Sequence, residues 1–328
     1  MNNPAVIGAI AGLVSALLFV SKASATMLAL LFFPIVPLPL MIAGFGWGIQ
    51  AGLIGLLSGA IVSATLGLAG IVQYTLVFAG PAVLLIYLAL LSRPDPQPAA
   101  GEPARIWYPP GHLIAWTALL AGAIGAGLAI VLAFGAGGDY EAGVRQTVEQ
   151  GFLPALREAT EESLSKEQID QFIATATVVL PAGTATLWLI VMLVNMWLGG
   201  KIALFSGRLI RPWPTFSEMQ YPRFLSVAFL LALVGTMLAG LTSAVASAFT
   251  GAFIMAYLLL GLVVIHVITR GSRFQPVLLV LLYVGIVVVG WIGLIVALLG
   301  IAEPLIRLRE RVAQGSGPGG PPDTPPRE

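Results

Sequence analysis

The side chains that could do chemistry in this chain are few, and they keep away from its apolar stretches. Its 328 residues include no cysteine and two histidines, His112 and His266. Disulfides, thiolate metal sites and cysteine nucleophiles are therefore excluded. Residues 23–92, 171–200, 224–265 and 274–302 contain no Asp, Glu, Lys, Arg or His. No H-E-x-x-H, G-x-S-x-G, phosphate-binding loop or carboxylate pair falls within them. Proton and ion relays need ionisable groups at membrane depth. The expectation is a chain with no catalytic residue, metal or cofactor, and so neither protease, proton antiporter nor ATPase by itself.

What remains is neutral polarity inside apolar runs. Gln50, Gln73, Tyr74 and Asn195 are such groups, and Pro37 and Pro39 free backbone carbonyls nearby. A buried amide such as Asn195 must bond a neighbouring helix or a ligand. These six residues are the candidate walls of a pocket for a small apolar or amphipathic molecule.

The prolines stand in the stretch 32–52, with Pro34, Pro37 and Pro39 spaced by three and two and Gly44, Gly46 and Gly48 following. Each proline lacks an amide hydrogen and crowds the preceding turn, so a regular helix cannot run through. At membrane depth the freed carbonyls must find partners in other helices or line a cavity. A broken segment in a helical membrane protein points to a site. A kink used only for packing is the alternative.

Composition supplies the membrane. The chain is 58% apolar and 9% charged, with mean hydropathy +0.95; soluble domains carry about 25% charged residues. A formal charge of +1 without a basic stripe gives no case for nucleic acid. A crossing helix needs about 20 apolar residues, which predicts nine segments, near 4–21, 26–47, 48–68, 70–92, 112–135, 172–199, 223–244, 247–268 and 274–301. The first has no basic leader and is expected to be retained rather than cleaved. Eight or nine crossings remain open, because nine crossings leave eight basic residues on each side. The loop 199–223, with Lys201, Arg208, Arg211 and Arg223, is expected on the cytoplasmic side.

Gly8, Gly12 and Ala16 form a smooth helix stripe, for packing within the chain or for docking a partner. The proline-rich connection 93–105, within the linker 93–111, is expected to be exposed. The insert 139–170 reads as an amphipathic hairpin on the membrane face, with Val144, Val148, Phe152, Leu153 and Leu156 as its apolar stripe and a helix capped near Ser165. Glu303 reads as peripheral, and the Gly/Pro tail has no means of burying a core. The domain division is 1–200 as a transmembrane core, 201–302 as three further segments, and 303–328 as a basic, then disordered, tail.

The chain resembles the YybS-like family of uncharacterised bacterial membrane proteins along nearly its whole length. The N-terminal likeness rests on Pro34, Pro37 and Pro39, then Gly46, Trp47, Gly48, Ala51 and Gly52. In the middle it rests on Pro181 opening a span and on Pro214, Phe216, Tyr221 and Pro222. Near the C-terminus it rests on Gly261 and His266, then on Gly300, Glu303, Arg307 and Arg309. The chain departs from the family at Glu303, often aspartate there, at Pro304 and Leu305, where bulky aromatics are usual, and at Gln50, commonly basic. That family is similar in fold to the substrate-binding S-components of energy-coupling-factor importers. The resemblance implies an all-α, S-component-like core with added C-terminal helices and a pocket near the break. It also implies docking through Gly8, Gly12 and Ala16 onto a shared module with ATPases.

The leading expectation is thus a multi-pass bacterial inner-membrane protein, an S-component-like transport subunit for a small molecule. The alternative is a scaffold that binds other membrane proteins and transports nothing. A third reading is a lipid-handling protein whose groove opens sideways to the bilayer.

Overall fold

Twelve α-helices, α1 to α12, follow one another through the residues described by the computed structural model, which are 3–24, 31–96, 105–154, 165–309 and 311. Leu156, linker residues 97–104 and the tail beyond 311 lie outside them. The structure is 83% helical. Four helical runs are long and apolar enough to cross a membrane, or five if one bent pair counts as a span. That helix content is that of a multi-pass membrane protein.

The chain begins with α1 (Pro4–Val20), where Pro4 takes the first helical position and the Asn3 side chain accepts from the Ala5 amide, 2.9 Å away. A short 3₁₀ turn, Phe33–Ile35, precedes α2 (Leu38–Trp47). The three prolines therefore occupy helix starts, where a missing amide hydrogen costs nothing. Gly48, at φ +90°, then turns the chain into α3 (Ile49–Ser63).

The helical run Ile49–Leu90 has 42 residues but is not one rod. Gly67, at φ +74°, breaks it after a 3₁₀ turn, Ala64–Leu66. Gly59 then packs beside Tyr74, and Gly52 beside Val83 and Ile86, so the second half returns antiparallel to the first. That half consists of α4 (Gly67–Gln73), a π-helical turn Tyr74–Ala79, and α5 (Gly80–Leu90). Residues 48–68 and 70–92 are accordingly two arms of a hairpin.

The linker begins and ends as a small ribbon. Strands β1 (Ser92–Pro94) and β2 (Arg105–Trp107) pair antiparallel, with Arg93 opposite Ile106. After it come α6 (Pro110–Gly135) and α7 (Tyr140–Thr147), capped by the Asp139 carboxylate on the amides of Glu141 and Ala142. The insert's stripe faces protein rather than the membrane surface. Tyr140, Val144, Val148 and Leu153 pack with Ala129, Ala133 and Ile173. Phe152 is the exception, exposed and stacked on Phe172 with centroids 4.9 Å apart.

The helix capped at Ser165 is no separate hairpin arm. The capping box of Ser165 and Gln168 starts α8 (Lys166–Phe205), 40 residues without a break. Pro181 lies inside α8 rather than at its start. The helix survives because the carbonyl that Pro181 deprives of its donor, Thr177, accepts from the Tyr140 hydroxyl at 3.1 Å. Burial pushes the Tyr140 phenol up to about 12, which keeps that donor protonated.

Helices α9 (Arg223–Gly235), α10 (Gly240–Ile268), α11 (Gln275–Val289) and α12 (Trp291–Ile306) complete the chain. The last two meet at 119° about Gly290. Two compact units result, one of residues 1–215 with 221–255, the other of 216–220 with 256–328.

Within the second unit α10 and α12 pack antiparallel, Gly261 against the Val296 carbonyl and Gly300 against that of Tyr257. Glu303 is not peripheral there. It is 4% exposed and accepts from the Leu308 and Arg309 amides and from Arg309 Nε at 2.8 Å. Arg309 also donates to the carbonyls of Ser217 and Met219.

Candidate functional site

The break at 33–37 sits between α1 and α8, and both helices reach into it. Ser15, fully buried on α1, donates to the Val36 carbonyl at 2.6 Å and accepts from the Tyr74 hydroxyl at 3.1 Å. Asn195 on α8 donates to the Pro34 carbonyl at 2.8 Å and to its own Val191 carbonyl. The freed carbonyls are thus satisfied by neighbouring helices, which is one of the two fates a break at membrane depth allows. The same repair recurs at Pro81, where the Val77 carbonyl accepts from Trp188 Nε1 at 2.9 Å.

Beneath the break lies an aromatic cluster of Phe19, Phe33, Tyr74 and Phe78, with centroids 5.1 to 6.5 Å apart. Lys22 covers it, Nζ 3.9 Å from the Phe19 centroid and bonded to Gln73 Oε1. Burial draws the Lys22 ammonium below its ordinary range, consistent with an apolar floor under the charge.

On the other side of the break a hollow of about 540 Å³ runs between α1 and α2. Ile7, Val14 and Leu18 form one wall and Pro39, Ile42 and Trp47 the other. These pairings run antiparallel, Ile7 near Trp47 and Leu18 near the start of α2. Val14 is 42% exposed, so the hollow is an open groove rather than a sealed cavity. Its mouth lies on the α1 face that also exposes Ile10 and Leu17.

The six wall candidates do not converge. Pro39 lines the groove, while Pro37 is buried beside it. Asn195 and Tyr74 are engaged in the repair of the break, Gln73 holds Lys22, and Gln50 is exposed at the start of α3. Asn195 Oδ1 and Trp47 Nε1 are both buried without a hydrogen-bond partner among the described residues. Val14, Ser15, Trp47 and Trp188 were not among the candidates. Ser15 and Trp188 carry no periodic signal, and Val14 reads in sequence like any lipid-facing residue.

The stripe Gly8, Gly12 and Ala16 is buried. Gly8 lies against the Ala51 carbonyl and Gly12 against the Gly55 carbonyl and Ser58 Oγ, so α1 and α3 run parallel with backbones nearly touching. Ser58 Oγ donates to the Ala9 carbonyl across the same seam. That face is covered within the chain.

The basic loop after α8 is anchored by aromatic rings. Lys201 Nζ lies 4.1 Å from the Trp213 centroid, and the guanidinium of Arg208 lies 5.2 Å from that of Trp47. Arg211 is 8% exposed and donates to the carbonyls of Ala89 and Tyr108. Its burial pulls it below the ordinary arginine range. Among the described residues no group of three or more His, Asp or Glu could hold a metal ion. No protein-family model, no curated protein and no solved structure matches this chain.

Proposed function

We propose that the chain is a non-catalytic binding protein of the bacterial inner membrane that holds a small apolar or amphipathic molecule in the α1–α2 groove. The observation that carries this reading is the groove itself, apolar along its length and beside a backbone break whose own polar groups are already satisfied. A water-soluble ligand would need several polar wall groups to replace its hydration; the six wall residues named above offer Trp47 alone. The YybS-like resemblance extends the reading to an S-component-like import subunit that joins a shared membrane module and its ATPases. Docking would then use a surface other than Gly8, Gly12 and Ala16, which α3 covers.

The test is mass spectrometry of protein purified in mild detergent, beside a variant with the groove filled, Val14→Trp. A stoichiometric small molecule in the parent and none in the variant is the expected result. Equal occupancy in both would remove the groove as the site. Capture of ATPase subunits with the parent would support importer function. A stable membrane-protein partner, with neither ligand nor ATPase, would favour the scaffold.

A further inference from the structure

The groove has two unlike ends. At the Leu18 end the nearest cation, Lys22, is engaged by Gln73 Oε1 and lies over Phe19, on the core side of α1. At the Trp47 end the chain supplies cations that, among the described residues, have no carboxylate partner. Arg208 is exposed, and its guanidinium covers the Trp47 ring. The Ile210 amide donates to the Phe45 carbonyl at 3.2 Å, which fixes this loop against the last turn of α2. Among the described residues neither Arg208 nor Lys201 nor Arg211 forms an ion pair. Trp47 Nε1, an indole donor on the groove wall, is buried with no acceptor among the described residues.

Length agrees with this polarity. From Ile7 to Leu18 the α1 wall rises about 16 Å at 1.5 Å per residue. That is roughly half of the ~30 Å hydrocarbon core, the depth of one acyl chain in one leaflet.

We propose that the groove takes one acyl chain of an anionic amphiphile, its head group held by Arg208 and within reach of Trp47 Nε1. The inference rests on the groove reading above and adds the charge and polarity of the occupant. A fatty-acid carboxylate and a lipid phosphate share the required chemistry, oxygen acceptors bearing negative charge at the end of a long apolar tail. Arg208 meets the anion with an exposed guanidinium fork, whereas the indole N–H offers a single donor. A zwitterionic head of the same chain length brings its own cation and loses the preference.

The experiment is native mass spectrometry of delipidated protein in detergent, titrated separately with oleate, phosphatidylglycerol and phosphatidylcholine. One anionic molecule should bind about tenfold more tightly than phosphatidylcholine, the scale of one charge-assisted contact. Arg208→Gln should bring the three probes to parity, and Arg208→Lys should keep most of the preference. Val14→Trp, at an exposed position that need not disturb the core, should abolish saturable binding of all three. The stronger of oleate and phosphatidylglycerol identifies the source of the anion, and either supports the proposal. No preference in the parent, or a preference that survives Arg208→Gln, overturns it while leaving the groove in place. Binding that survives Val14→Trp with an unchanged melting temperature overturns the groove and the head-group inference together.

Discussion

The two units mend their broken backbones by different chemistry. In residues 1–215 the orphaned carbonyls of Pro34, Val36, Val77 and Thr177 are met by neutral donors, Asn195, Ser15, Trp188 and Tyr140. In the unit of 216–220 and 256–328 the chain leaves α12 through Arg307, at φ +53°, and the loose ends are met by a charge. Glu303 collects the amides of Leu308 and Arg309, and Arg309 answers with two carbonyls of the 216–220 segment. Neutral repair suits apolar surroundings, where an ion would be costly. A charged repair closes several groups at once, but each buried charge depends on the other for its neutralisation.

That dependence sets the largest expected effect. Glu303→Ala leaves Arg309, 12% exposed, without its carboxylate, and should destabilise the second unit by about 3–5 kcal/mol. Replacing both residues by methionine should recover most of the loss, since an apolar pair of similar volume often serves as well. Denaturant titration of the three proteins in detergent checks both. A single-variant loss near 1 kcal/mol would reduce the charged repair to the scale of the neutral ones.

Both units also bring backbones together at glycine, α1 on α3 in parallel and α10 on α12 in antiparallel. At Gly12 an added side chain would strike the Gly55 carbonyl, and backbone yields little. Gly12→Leu should cost about 3 kcal/mol, the upper range of overpacking, and should lower the expressed folded fraction. Unchanged melting would mean that the α1–α3 seam is softer than its geometry.

How far the sequence tells this story depends on the range of the interaction. The break at Pro34, Pro37 and Pro39, the Ser165 cap and the smooth stripe at Gly8, Gly12 and Ala16 were legible, because each is set by residues within a turn or two. The continuity of α8 through Pro181 was not, because its repair comes from Tyr140 in another helix. Nor was the burial of Glu303, whose partner Arg309 is tied to the carbonyls of Ser217 and Met219, some ninety residues away. The groove shows the same limit. Pro39 was named as a wall, but Gln50 and Gln73 were named for their polarity, and polarity does not tell which side of a helix faces a hollow. The hairpin at Gly67 joins the two expected apolar stretches 48–68 and 70–92. What could not be read was how they pack together.

A neutral repair can be isolated at Tyr140. Tyr140→Phe removes the hydroxyl from the Thr177 carbonyl and leaves the ring, 3% exposed, in its place. The expected loss is about 1 kcal/mol, one buried hydrogen bond. The phenol also carries a pH signature. Its folded value of about 12 lies above the ordinary 10, so its contribution is complete below pH 10 and fades as pH rises from there towards 12. Tyr140→Phe should flatten that alkaline decline, and a decline of equal slope in the variant would assign it to other groups.

The smallest effect belongs to Ser15, although it sits at the centre of the break. Ser15→Ala removes the donor to Val36 and the acceptor for Tyr74 together, and a count of bonds alone gives a doubled loss. Hydrogen bonds between membrane helices average only about 0.6 kcal/mol, because the separated helices also find partners in the bilayer. The orphaned Tyr74 hydroxyl lies beside Gly59, in a seam of small residues where it can turn to another carbonyl. Ser15→Ala should therefore cost under about 1 kcal/mol, and thermal unfolding beside Tyr140→Phe ranks the two. A larger loss at Ser15 would place the break itself, rather than the long helix α8, at the centre of the first unit's stability. The neutral repairs would then be as interdependent as the ion pair.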